Sequence, residues 1–248
     1  MKSNSLSMTF GFPFKNPHWQ MKLAIGSLLL LASLVIPLIP LIFVAGYCLR
    51  IIQRIILGDG QAALPEWDDW EWLFKHGFKL SEAGLLYALP GLLLLTIGFV
   101  MISFPLYGMG FASLASATHQ TISPAGMAIL TKGAVLSGIG SVLTLIGGFF
   151  STPAAMHMAA QNRVKAVLQI REWWVIMKRE SGKFICGYAL IATTTIILLI
   201  ITAILTVTLV FCLPATILFS IASMYICLIA SVLFASAYRA GLNKRIEK

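Results

Sequence analysis

Residues 184–238, FICGYALIATTTIILLIITAILTVTLVFCLPATILFSIASMYICLIASVLFASAY, decide the fold, because no charged side chain interrupts them. A spanning helix needs about 20 apolar residues to cross about 30 Å of hydrocarbon. The run is too long for one crossing. Pro214 falls inside it, and proline starts or ends a helix more readily than it continues one. The reading is two spans, from Phe184 to about Cys212 and from Pro214 to about Tyr238, turned tightly at Pro214 into a helical hairpin.

The same test, worked outward, finds three more stretches. One lies between Lys22 and Arg50, one runs from Ala83 to about Phe104, and one from Pro124 to about Phe150 with Lys132 its single charge. Composition agrees. Of 248 residues, 58% are hydrophobic and 11% charged, and the mean hydropathy is +0.89. Soluble domains carry about 25% charged residues, and one of this size runs out of polar residues to cover its surface. A soluble enzyme, a nucleic-acid module and a disordered tail are excluded. The expectation is an all-α polytopic membrane protein with about five membrane segments and two or three interfacial amphipathic helices. Residues 1–248 form a single integral membrane domain in this reading.

Net charge is +9, from 18 Lys and Arg against 9 Asp and Glu. In a membrane protein such an excess marks cytoplasmic loops rather than nucleic-acid binding. Basic residues gather between Arg50 and Glu82, between Ser151 and Lys183, and in the C-terminal stretch from Arg239 to Lys248. The connections near Tyr107 to Ser123 and near Pro214 hold none. The three basic regions, the C-terminus among them, are therefore expected on the cytoplasmic side of the membrane. Lys2, Lys15 and Lys22 also prefer that side. Pro37 and Pro40 suggest how: they mark the apex of a re-entrant hairpin that enters and leaves on one face. Every basic residue but Lys132 then lies inside. The alternative is one full span, for which the stretch is long enough.

Six tryptophans, Trp19, Trp67, Trp70, Trp72, Trp173 and Trp174, all fall just before a membrane segment and near lysines. Indole and lysine both favour the headgroup level. Two of these units align without a gap at an offset of 101 residues: Glu71-Trp72 with Glu172-Trp173, and Tyr87-Ala88-Leu89 with Tyr188-Ala189-Leu190. The chain reads as an internal repeat, residues 65–150 and 163–238, preceded by a degenerate unit at 14–57. Small residues recur every four positions at Ser223, Cys227, Ser231 and Ala235, and again at Gly133, Ser137 and Ser141, which suits close helix packing. The threonines of the fourth span are expected to bond back to their own helix.

Chemistry is sparse. Asp68 and Asp69 are adjacent, so on a helix they diverge by about 100° and form no carboxylate pair. His18, His76, His119 and His157 are scattered, each read as a satisfied interfacial histidine, and no metal spacing occurs. Cys48, Cys186, Cys212 and Cys227 form no C-x-x-C pair and read as small buried hydrophobes. The first twenty residues do not read as a cleavable signal, nor the C-terminus as a lipidation box. No nucleotide or hydrolase motif appears. No enzyme activity, cofactor or metal is expected. The most distinctive stretch is Leu64-Pro65-Glu66-Trp67-Asp68-Asp69-Trp70-Glu71-Trp72-Leu73-Phe74. It predicts a helix starting at Pro65, with Trp67, Trp70 and Phe74 on one face and Asp68 and Asp69 toward water. With Trp173 and Trp174, these residues are the candidate interfacial or partner-docking site.

The residues from Ala45 through Arg50 to Arg54, then Leu64 to Asp69, then Gly77-Phe78-Lys79, resemble a prokaryotic membrane family catalogued as domain of unknown function four thousand and thirteen. Asn16-Pro17-His18-Trp19, Lys22-Leu23 and Ile25-Gly26 add to the resemblance, which is specific over about Phe14 to Pro90. Lys15 departs from it, standing where an acid is expected. The resemblance implies a multi-pass integral membrane protein of a prokaryotic inner membrane, its C-terminus cytoplasmic by the charge argument, and brings no catalytic residue. The functional expectation is a non-enzymatic accessory or scaffold subunit packed against membrane lipid and other membrane protein subunits, without nucleic acid. The alternative is a component of a transporter for a small or apolar substrate.

Overall fold

The computed structural model describes residues 10–58, 63–116, 123–207 and 212–246; of residues 108–116, 207, 212, 245 and 246 it describes the backbone alone. The readings at Lys2, Asp59, His119 and Thr208, and those at the Cys212 side chain and Lys248, lie outside what is described. So does most of the connection from Tyr107 to Ser123. Among the described residues there are seven α-helices, two short 3-10 turns and no strand. The helices are α1 (Trp19–Ala32), α2 (Ile39–Leu57), α3 (Trp70–Ser116), α4 (Pro124–Gln161), α5 (Ile170–Arg179), α6 (Ser181–Val207) and α7 (Cys212–Ile246); the 3-10 turns are Pro13–Lys15 and Val164–Leu168. Five stretches are long and apolar enough to cross a membrane: Ile39–Leu57, Trp70–Tyr107, Pro124–Gln161, Ser181–Thr206 and Leu213–Lys244. The chain is an all-α polytopic membrane protein.

The first apolar stretch folds back on itself. Helix α1 has 14 residues, about 21 Å, too short to span. Residues 33–38 turn around Pro37, with Leu38 at φ 74°, and α2 returns. Lys22 at the start of α1 donates to the carbonyl of Leu64, and Tyr47 in α2 donates to the carbonyl of Pro65. Entry and exit therefore lie together, as a hairpin requires. Its apex is bare and apolar: Leu34 is 71% exposed, Val35 83% and Leu38 70%. Such a tip has no reason to meet water.

Packing divides the chain into two compact units, Met1–Ala83 with Pro153–Lys248, and Gly84–Thr152. In the first, α7 is the central post, packed against α1, α2, α5 and α6. Tyr238, Met224, Leu228 and Ala235 on α7 are fully buried. Arg239 donates to the carbonyl of Ile55 at 3.0 Å, and Lys244 pairs with Glu180 at 2.5 Å. The three basic regions thus meet at one end of this unit.

In the second unit, α3 and α4 meet backbone to backbone. Gly91 and Gly98 on one helix face Gly140 and Gly133 on the other, and Gly147 faces the carbonyl of Tyr87. A Cβ on Gly140 would stand 2.6 Å from the Leu95 nitrogen, a separation no side chain tolerates. The glycines recur every seven residues, the interval of an antiparallel seam. Ser137 joins that seam, but Ser141 is exposed and donates back to the carbonyl of Ser137. The expected four-residue stripe is thus replaced by a seven-residue one. Helix α4 opens with Ser123 as its cap, whose hydroxyl accepts from the Gly126 N–H, and with Pro124 at its first position.

At the 101-residue offset of the repeat, Ala83 and Phe184 are both buried, whereas half-buried Trp72 stands opposite buried Trp173.

A candidate interfacial site at the polar end

Helix α3 starts at Trp70, not at Pro65. The segment before it is non-helical because its backbone groups are claimed from elsewhere. The Leu64 N–H donates to Asn16 Oδ1 at 3.0 Å. The Leu64 carbonyl accepts from Lys22 and the Pro65 carbonyl from Tyr47. Groups held this way cannot enter a helical ladder. Asp69 then caps the helix, its carboxylate accepting from the Trp72 N–H at 3.0 Å.

Trp67 lies in this strap, 9% exposed. Its ring stacks on Tyr47 at 4.0 Å and 8°, and its Nε1–H donates to the Lys22 carbonyl at 3.0 Å. Trp70 stacks on Trp67 at 5.7 Å. Phe43 touches both Trp70 and Phe74, at 5.5 Å each. The aromatic cluster expected from spacing therefore forms, but only Trp70 and Phe74, 43% and 42% exposed, reach the surface.

Arg50 organises the polar side. Its guanidinium pairs with Asp68 at 2.7 Å, approaches Asp69 at 4.0 Å, donates to the Glu66 carbonyl at 3.3 Å and covers the Trp72 ring at 5.0 Å. This guanidinium holds the Asp68 carboxyl below the usual aspartate range. Asp68 and Asp69 stay exposed, at 66% and 49%. Lys22 is buried and bonded to Glu66 at 2.6 Å. Lys22, Tyr47 and Arg50 thus hold the site together, and spacing alone did not single them out. The available signal was their place in the motifs carrying the family resemblance: Asn16, Lys22, the stretch around Tyr47 and Arg50, and Leu64 to Asp69 all meet here.

Trp173 and Trp174 lie on α5. Trp173 is 1% exposed and donates to the Val167 carbonyl at 3.2 Å; Trp174 meets it edge-on at 6.2 Å. Trp173 is thus core, and Trp174 is half-buried. Nearby, buried His157 contacts Tyr238 Oη at 2.5 Å through Nδ1, with Gln161 and Gln169 at 2.9 and 3.2 Å around Nε2. Cys48, Cys186 and Cys227 are free thiols, and Cys186 is exposed, against the expectation of burial. Among the described residues, no three His, Cys, Asp or Glu side chains are grouped to hold a metal.

A family model described as Protein of unknown function (DUF4013) matches residues 29–210. The chain belongs to that family. The match begins after the Asn16–Trp19 and Lys22–Gly26 motifs and extends well past Pro90. No curated protein and no solved structure matches the chain.

Proposed function

We propose that the chain is a non-enzymatic accessory or scaffold subunit of a prokaryotic inner membrane, with its basic end and C-terminus cytoplasmic, packing against other membrane proteins and lipid. The observation that carries this reading is α6. None of its most apolar window is buried within the chain, and Ile185, Ile196, Ile200 and Ile204 are each more than half exposed. Outside the side that packs on α7, α6 offers a bare apolar surface to neighbours.

The polar groups favour the same reading. Thr194 and Thr202 donate to the carbonyls of Leu190 and Leu198 on their own helix. Transport along α6 would need those hydroxyls to line a path instead. Lys22, Arg50, Lys183 and Lys244 at the polar end are engaged in holding the strap and the helix ends. A photo-crosslinking residue at Ile196 or Ile200 in native membranes tests the proposal. Protein adducts of defined mass at these positions, missing when the crosslinker sits at buried Met224, are the expected result. Adducts to lipid alone reject a protein scaffold.

A further inference from the structure

A narrow cleft, open on one side, lies at the polar end of the first unit. Three segments build it. Gln53 comes from α2, His76 and Lys79 from the first turns of α3, and Asn162 and Arg163 from the connection after α4. Leu49 and Met158, both buried, form an apolar floor. Among the described residues, no carboxylate lines it.

Lys79 and Arg163 stand with Lys75, Lys165, Arg171 and Lys178, for which no carboxylate partner occurs among the described residues, and apart from four other cations of the unit. Lys22, Arg50, Lys183 and Lys244 each have a carboxylate partner. Among the described residues no ion pair joins Lys79 or Arg163 to an acid, even though Glu82 follows Lys79 by one turn. His76 Nδ1 lies 3.0 Å from the Trp72 carbonyl, so it carries the proton and donates there. Its ring is fixed further by stacking on Trp72 at 4.1 Å. Gln53 and Asn162 place side-chain amides beside the two cations. Two positive charges over an apolar floor attract an anion more strongly than the same charges in open water.

Position selects the anion. Lys79 stands one helical turn before the uncharged stretch that opens at Ala83. Arg163 stands two residues past the end of α4. Both cations thus lie toward the ends of two long apolar helices, and helices that span a bilayer bring such ends near the level of lipid phosphates. We infer that this cleft binds the phosphate of an anionic phospholipid headgroup, gripped by Lys79 and Arg163. The inference goes beyond the scaffold reading and stands without it, since the test requires no protein partner.

The test uses the full chain in neutral detergent, titrated with short-chain phosphatidylglycerol, short-chain phosphatidylcholine or inorganic phosphate, binding being read by intrinsic tryptophan fluorescence. The expected result is preference for phosphatidylglycerol over phosphatidylcholine, lost about tenfold or more in the K79Q/R163Q double variant. The charge-conserving pair K79R/R163K retains binding, which separates lost charge from lost fold. K75Q, outside the cleft, binds as the wild type does. Equal affinity for the two lipids, or equal phosphatidylglycerol binding by wild type and K79Q/R163Q, overturns the site. Inorganic phosphate binding as tightly as phosphatidylglycerol overturns the lipid assignment.

Discussion

The backbone of Gly46 lies directly against the carbonyl of Leu73, and Gly77 returns the contact at the carbonyl of Ile42. Helices α2 and α3 therefore approach with no side chain between them. A methyl group at either position meets backbone, which cannot swing aside. Gly46→Ala and Gly77→Ala are each expected to destabilise the protein by about 1–3 kcal/mol. Gly138→Ala, where a Cβ meets nothing within 4 Å, is expected to be neutral or slightly stabilising. Melting temperatures in one detergent compare all three.

The two tryptophans of the strap should separate. Trp67→Ala removes a buried ring, its stack on Tyr47 and its bond to Lys22, at a cost of about 3–5 kcal/mol. Trp70→Ala removes a ring that is 43% exposed and should cost clearly less. Equal losses would show that Trp67 does not anchor the strap. Chemical denaturation followed by far-ultraviolet circular dichroism measures both.

The adjacent aspartates should separate too. Asp69→Ala loses the cap of α3 and should cost about 1 kcal/mol, while Asp69→Asn preserves it. Asp68→Asn weakens an exposed pair with Arg50 and should leave the melting temperature unchanged. A large loss from Asp68→Asn would mean the Arg50 pair carries the strap.

Acid should loosen the junction between α5 and α6. Lys244, and then Lys183, hold the Glu180 carboxyl below the ordinary glutamate value of 4.5. Its stabilising effect is complete above that value and is lost as pH falls through the depressed folded value. Glu180→Gln removes this dependence and is expected to cost on the order of 1–2 kcal/mol at neutral pH. The check is the difference in melting temperature between wild type and Glu180→Gln, followed from pH 7 downward; it should narrow in acid.

Single cysteines at Asp69, Arg171 and Asn243, each introduced with the native thiols removed, should be labelled by a membrane-impermeant reagent from one and the same face. The basic ends that carry them converge through Arg239 and Lys244. A cysteine at Met21 should label from that face as well, and one at Leu34 from neither. Labelling of Met21 from the opposite face would convert the first hairpin into a span.

What the sequence made legible was whatever depends on local composition. Uncharged length located the spans, and Pro37 located the turn between α1 and α2. The start of α3 was misplaced because Pro65, Glu66 and Asp68 do suit a helix N-terminus. Asn16, Lys22 and Tyr47, up to 48 residues away, take the backbone groups such a helix needs, and local spacing carries no trace of that. The aromatic face at Trp67, Trp70 and Phe74 was found for a partly incorrect reason: the cluster exists, but Phe43 and Tyr47 assemble it across two helices. Burial of Trp173 was hidden likewise, because it depends on α7 passing beside α5.

The turn at Pro37 also bears on how the chain enters a bilayer. An element whose two ends lie together adds no crossing. A single span between Lys22 and Arg50 would carry Lys15 and Lys22 to the opposite face from Arg50 and Arg54. A hairpin that dips in and returns keeps all four on one face, so the element asks for no translocation of these charges.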